Sequence, residues 1–157
     1  MEKVTLLVVR EDCMGCHACE VACKQEHELV VGPRLIEVIE RAPVFIPIYC
    51  HHCARPPCKD ACPVDAISRD ARGIVLIDEE LCIGCLACVE ACPFGAMQFD
   101  EGRELAVKCD LCRERIEKGK EPACVRACPT HCILWGRADD LTEAVTERYV
   151  ASETKPQ

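Results

Sequence analysis

Cys82-Ile83-Gly84-Cys85-Leu86-Ala87-Cys88-Val89-Glu90-Ala91-Cys92-Pro93 sets four cysteines in the pattern C-x2-C-x2-C-x3-C and closes on proline. The same pattern runs through Cys13, Cys16, Cys19 and Cys23, without the proline. A stretched copy, C-x2-C-x4-C-x3-C, takes Cys50, Cys53, Cys58 and Cys62 and ends at Pro63. A further copy opens its middle gap to eleven residues, with Cys109, Cys112, Cys124, Cys128 and then Pro129. Sixteen of the 17 cysteines in this 157-residue chain therefore fall into four groups of four. Thiolates are soft donors, and four of them gathered on one loop suit a soft metal centre.

The spacing C-x2-C-x2-C-x3-C-P is that of the bacterial ferredoxin run, which holds 4Fe–4S clusters. Three thiolates two residues apart on a tightly coiled loop grip three corners of one cubane. Gly15, Ala18, Gly84 and Ala87 are small and let backbone N–H groups turn toward the sulfurs, where they tune the potential. The fourth cysteine lies past the start of a short helix and points elsewhere; in two-cluster ferredoxins it ligates the other cluster. Four groups thus predict four 4Fe–4S clusters and a chain that moves electrons. Zinc is the rival for any C-x2-C. It fits the fourth group best, but zinc ribbons favour a closing C-x2-C, and the other groups are ferredoxin-like. His17, His51 and His52 lie within the runs, yet with a full set of cysteines they read as residues around the ligands or on the surface.

So much cysteine in a secreted chain would suggest disulfides. Met1–Arg10 has no long apolar core and no small-residue cleavage site, so it reads as a strand and not a signal peptide. No apolar run approaches the ~18 residues of a membrane helix. A cytoplasmic, reducing setting is the expectation, which favours metal over disulfide. The hydrophobic share of 50 % includes the cysteines and only 4 % is aromatic, so clusters stand in for much of the core. The apo chain is then expected to be largely unfolded. A net charge of −8 argues against nucleic acid as a partner. Arg113, Arg115, Lys118 and Lys120 are interspersed with Glu114, Glu117 and Glu121, which reads as a solvated face. No Gly-rich phosphate loop, open metal site or nucleophile–base pair stands out, so no catalytic residue is assigned.

An internal repeat organises the chain: Cys62–Ile67, Cys92–Met97 and Cys128–Ile133 align, each with a proline after its cysteine and an apolar residue entering a strand. Alternation predicts strands at 4–9, 35–40, 73–77, 96–99, 105–107 and 133–136, with a hairpin turn at Asp100-Glu101-Gly102-Arg103. Asp139 or Asp140 is expected to cap a final helix over about 141–150, with Leu141, Ala144, Val145 and Tyr149 on one face, and 152–157 to fray. Asp78-Glu79-Glu80 reads as a strand exit. Cys132 replaces Ala66 and Ala96 of the sister repeats and reads as a small buried residue beside a cluster, not a ligand. The segment 26–49 is an insertion whose apolar stretch Ala42–Tyr49 either lids a cluster or docks on another subunit, with Pro43 and Pro47 excluding a central strand.

Beyond the individual runs, Cys13-Met14-Gly15-Cys16-His17-Ala18-Cys19-Glu20-Val21-Ala22-Cys23, Cys50–Pro63 and Val107-Lys108-Cys109-Asp110-Leu111-Cys112 resemble, in this order, the four-cluster iron–sulfur subunits of molybdenum and tungsten pterin enzymes, hydrogenases and carbon monoxide dehydrogenases. This is the family of the dimethyl sulfoxide reductase and formate hydrogenlyase small subunits, and the resemblance covers nearly the whole chain. It implies an α+β fold of two fused bacterial-type 2×(4Fe–4S) ferredoxin modules with short hairpins and helices. They form a single polyferredoxin domain over 1–157: an inner module at about 50–99, and an outer one from about 1–30 plus 105–136. It also implies four ligand sets: Cys13, Cys16, Cys19 and Cys128; Cys50, Cys53, Cys58 and Cys92; Cys82, Cys85, Cys88 and Cys62; and Cys109, Cys112, Cys124 and Cys23.

The role implied is non-catalytic, with electrons passing between a large catalytic subunit and a second partner such as a flavin or NAD-linked subunit or a ferredoxin. The short form is similar to electron-transfer subunits of tungsten-dependent aldehyde oxidoreductases in anaerobic metabolism, and it favours a soluble complex without membrane insertion. A hydrogenase or carbon monoxide dehydrogenase subunit and a stand-alone polyferredoxin are the alternatives. End-to-end self-association is a further expectation, since both ends of a cluster row can approach the surface.

Overall fold

The computed structural model describes residues 3–29 and 31–153. In chain order its elements are β1 (Val4–Val8), α1 (Ala18–Glu26), β2 (Ile36–Arg41), β3 (Val44–Tyr49), α2 (Pro57–Asp60), β4 (Ile67–Arg69), β5 (Val75–Ile77), α3 (Ala87–Ala91), β6 (Gln98–Asp100), β7 (Leu105–Val107), α4 (Arg113–Glu117), α5 (Ala123–Ala127), β8 (Ile133–Arg137) and α6 (Ala138–Glu153). The mixed helix–strand class expected from the sequence is present. The strands form four two-stranded antiparallel sheets, β1–β8, β2–β3, β4–β5 and β6–β7. β1 and β8 join the two ends of the chain, with Leu6 opposite Trp135 and Val8 opposite Ile133. α1 packs on α5 and α2 on α3, so each short helix behind one cysteine run meets the helix behind another.

Several boundaries move. The strands expected from 73 and 96 begin at Val75 and Gln98, because pairing with the partner strand starts only there. The hairpin turn forms as expected, and Asp100 Oδ1 accepts the N–H groups of Gly102 and Arg103 at 3.0 and 3.1 Å. Two strands escape the alternation pattern. β4 starts at Ile67, where the repeat places an apolar residue entering a strand, but alternation does not mark it. β3 contains Pro47, which lies opposite Val38 in a two-stranded sheet, where an absent N–H is tolerated at the edge. The proline argument excludes a central strand and holds; an edge strand remains open to it. The final helix begins at Ala138 and runs to Glu153, longer than 141–150. Asp139 and Asp140 therefore sit inside its first turn, where a carboxylate meets the positive end of the helix dipole, and not at the cap. Leu141 is the buried residue of this helix; the side chain of Tyr149 and the residues 154–157 of the expected frayed tail lie outside the described residues. On α4, Glu117 pairs with Arg113 and with Arg72 from the β4–β5 turn, at 2.9 and 3.2 Å, so this part of the face is exposed and neutralised, whereas Arg115 turns inward and pairs with Glu26 at 2.8 Å.

Candidate functional site

Each cysteine loop is coiled by residues in the left-handed region. Gly15 and His17 adopt φ of +69° and +57° between the first thiols, and Gly84 and Leu86 repeat this at +66° and +64°. Leu111 and Cys112 do the same in the fourth run, and Asp65, Gly95 and His131 follow the three cysteine–proline pairs. A non-glycine residue in this region costs about 1–2 kcal/mol, so the recurrence marks positions where the loop must turn back on itself. The two glycines are also held by contact. A Cβ on Gly15 would strike the Phe45 ring of β3, and one on Gly84 would strike the backbone carbonyl of Glu104.

The loops bring thiols from different runs together. One small cavity is lined by Cys50, Cys53, Cys58 and Cys92, with Pro57, Val75, Met97 and Lys108 around them. A second is lined by Cys62, Cys82, Cys85 and Cys88, with Val64, Ile67, Ile83 and Leu86. Cys23, at the buried face of α1, neighbours Cys109 and Cys112, and Cys124 in turn neighbours Cys112 and Cys23. Cys19 faces Cys13 and Cys16, while Cys132 lies against Cys128 and near Cys13. Among the described residues, no two of the 17 cysteines form a disulfide.

Burial pushes Cys19 and Cys88 up to about 11, opposed by backbone N–H groups and reinforced by neighbouring thiols. Cys112 rises to about 11 for the same first reason. Cys23, Cys109 and Cys124 are driven higher still by burial and by each other's charge. Such thiols do not ionise together unless a cation is bound among them, because each thiolate repels the next. Sets of converging, buried, all-sulfur donors fit an iron–sulfur cluster. The peptide N–H groups of His52 and Leu111 already point at the Cys50 and Cys109 sulfurs, at 3.4 and 3.3 Å. The mixed group His27, Asp110 and Cys112, within 4.8 Å of one another, would suit zinc, but it draws on a sulfur that also faces Cys23 and Cys124.

Cys132 is 2 % exposed, and its sulfur lies 3.5 Å from that of Cys128. Burial first, then the Cys128 sulfur, pushes it up to about 12, opposed by the Thr130 hydroxyl. Cys128 is raised by burial but brought below its usual value by Thr130 and by the Cys132 N–H. Since Ala66 and Ala96 are buried at the matching positions, Cys132→Ala is expected to leave the iron content unchanged and to cost about 1 kcal/mol or less. An iron assay and a thermal melt check both.

The histidines take supporting positions. His17 bridges Glu20 and Glu40, each at 2.9 Å, and His51 stacks between Tyr49 and Phe94. His52 is buried; its Nδ1 accepts the Val75 N–H at 3.0 Å, and burial, then the Lys108 charge, lowers it to about 3. Two buried charged residues do not stand out in the sequence. Glu20 Oε1 accepts the Val38 N–H at 2.6 Å and thereby ties the 26–49 insertion to α1. Lys108 donates to the carbonyls of Val75 and Cys109. The available signal is a charge in an apolar, cysteine-flanked context, Val107-Lys108-Cys109. At the surface, Cys16 and Cys85 are the exposed cysteines, beside the exposed Met14 and Ile83.

Residues 42–138 match the 4Fe–4S dicluster domain model and residues 10–26 a 4Fe–4S binding domain model. The chain is 38 % identical to a thiosulfate reductase electron transfer subunit of Salmonella typhi, over 90 % of its own length and 78 % of that protein. It is 35 % identical to the B subunit of the anaerobic dimethyl sulfoxide reductase of Escherichia coli (strain K12), over 82 % and 71 %. It is 37 % identical to a formate dehydrogenase iron-sulfur subunit of Wolinella succinogenes, over 87 % and 82 %. Among the described residues no helix is long and apolar enough to cross a membrane. Thiol-lined cavities and relatives over most of the chain agree: it binds 4Fe–4S clusters and belongs to the 4Fe–4S dicluster family, among the iron–sulfur subunits of the dimethyl sulfoxide reductase type.

Proposed function

We propose that this chain is a non-catalytic subunit passing single electrons through four 4Fe–4S clusters, between a large catalytic oxidoreductase subunit and a second redox partner. The ligand sets are Cys13, Cys16, Cys19 and Cys128; Cys50, Cys53, Cys58 and Cys92; Cys82, Cys85, Cys88 and Cys62; and Cys109, Cys112, Cys124 and Cys23. Each cluster, when bound, accepts and releases one electron. The observation that carries the reading is that cysteines cross between runs: Cys92 lines the cavity of Cys50, Cys53 and Cys58, Cys62 lines that of Cys82, Cys85 and Cys88, and Cys23 faces Cys109 and Cys112. The crossings support two nested ferredoxin modules, with 50–99 inside and 1–30 plus 105–136 outside.

Thiol proximity also supports an order. Cys19 is a neighbour of Cys124, Cys50 of Cys109, and Cys58 of Cys88. The row then runs from the Cys13 set to the Cys109 set, the Cys50 set and the Cys82 set, with the exposed Cys16 and Cys85 at its two ends. The protein holds each thiol in place and keeps water from the Cys50 set by packing Val75 and Met97 around it, while the Phe45 ring covers the loop of the Cys13 set at one end of the row. A tungsten or molybdenum pterin enzyme in the cytoplasm, an aldehyde oxidoreductase first, is the partner proposed. Relatives named for thiosulfate, dimethyl sulfoxide and formate enzymes support an oxidoreductase complex of that kind.

Elemental analysis of tagged protein, purified anaerobically from its native host, tests the reading. About sixteen irons per chain with co-purifying tungsten or molybdenum is the expected result. Nickel instead moves the partner to a hydrogenase or carbon monoxide dehydrogenase, and zinc without iron overturns the cluster assignment.

A further inference from the structure

Lys108 is the buried lysine among the described residues, and it sits where two cysteine sets adjoin. Its ammonium donates to the carbonyl of Cys109, at 2.6 Å, and to that of Val75. Its side chain also lines the cavity of Cys50, Cys53, Cys58 and Cys92. Val75 fixes the arrangement from its other side, since its N–H is held by His52 Nδ1, within the Cys50 run. Both partners of the ammonium are neutral carbonyls, and among the described residues no carboxylate forms an ion pair with it. A buried cation without a counter-ion is costly, and the cost falls if fixed negative charge lies close by.

We propose that Lys108 is the shared counter-charge of the clusters held by the Cys50 set and the Cys109 set, and that it raises the reduction potential of both. The inference rests on the ligand sets proposed above. A reduced cluster carries one more negative charge than an oxidised one, so a fixed cation in a low-dielectric site favours the reduced form. No proton moves and no bond changes; the ammonium stays charged as one electron arrives and leaves. Selectivity follows from position. Lys108 lines the cavity of the Cys50 set and its ammonium holds the Cys109 carbonyl, whereas the cavity of the Cys82 set is lined without it. Lys108 therefore sits at the joint between the two modules and makes the middle of the row the easier place for an electron to rest.

EPR-monitored redox titration of the holoprotein tests this, with signals assigned through Cys53→Ala and Cys23→Ala. Lys108→Met removes the charge and keeps the stem, and Lys108→Gln also keeps a donor for the carbonyls. Either variant, with iron content equal to wild type, is expected to lower the two middle potentials by the equivalent of about tenfold in the one-electron equilibrium, about 59 mV, and to leave the end potentials in place. Lys108→Arg is expected to keep all four at wild-type values. Unmoved middle potentials in an iron-replete neutral variant overturn the proposal. Loss of iron in both neutral variants makes Lys108 a structural clasp and overturns it equally. A wild-type chain without about sixteen irons removes instead the ligand assignment on which the inference rests.

Discussion

Cys23→Ala is expected to lose or convert the cluster held by Cys109, Cys112 and Cys124, and to leave the one held by Cys13, Cys16 and Cys19, its own neighbours in sequence, intact. Cys23 is buried on α1, where Cys109 and Cys112 act on it ahead of Cys19 of its own run. Cys23 follows Cys19 by four residues, slightly more than one helical turn, so it lies about 6 Å further along the same buried face of α1, the helix that packs on α5. Iron is expected to fall from about sixteen per chain to about twelve, or to about fifteen if a three-iron cluster survives on the remaining thiols. The EPR signal that changes should be the one that Cys109→Ala also removes. If Cys23→Ala abolishes the signal removed by Cys13→Ala and spares the other, the crossed assignment is wrong and each run serves itself.

What the sequence made legible divides along physical lines. The cysteine intervals are a local code, because a loop that must present three thiols to one centre has little freedom in its spacing. The repeat was legible for a related reason: it aligns Ile67, Met97 and Ile133 behind their cysteine–proline pairs, and β4 and β8 begin at Ile67 and Ile133 while β6 begins one residue after Met97. The start of α6 was misplaced because Asp139 and Asp140 favour a first helical turn as well as a cap, and the intrinsic preference does not separate the two. β3 was hidden by Pro47, whose cost depends on whether a neighbouring strand lies on its N–H side.

The supporting residues were harder to see. Glu20 and Lys108 do not stand out in the sequence, since burial of a charge depends on the segments that fold over it. For Glu20 these are Val38 and His17, and for Lys108 the carbonyls of Val75 and Cys109. Cys132 was legible because its sister positions are alanines, a comparison internal to the chain. The 26–49 insertion departs from the cysteine repeat, and its Phe45 ring lies on Gly15 of the first run. That contact favours its reading as a lid, while the half-exposed Val44 leaves a surface beside it.

Stripping the iron with a chelator and an oxidant is expected to unfold the chain: far-UV circular dichroism should lose its native form and the cooperative thermal transition should vanish. The reason lies in what the structure has apart from its cysteines. The larger core contains fifteen buried residues, six of them cysteine, and five of those six are proposed ligands. Each sheet has two strands, and an isolated two-stranded hairpin is marginal in water. α2, α3, α4 and α5 are four or five residues long, far below the length at which a helix holds itself. Non-glycine residues such as His17, Leu86, Leu111 and Cys112 add a left-handed cost of about 1–2 kcal/mol each that only the closed loops offset. Metal binding in small structural sites is worth about 10–16 kcal/mol, as large as the whole stability of a typical domain at about 5–15 kcal/mol. Anaerobic reconstitution with iron and sulfide should restore both signals. An iron-free chain that keeps its native circular dichroism and melts cooperatively would mean that the aliphatic core around Ile74 and Leu111 suffices alone, and that the clusters are guests in a self-supporting fold.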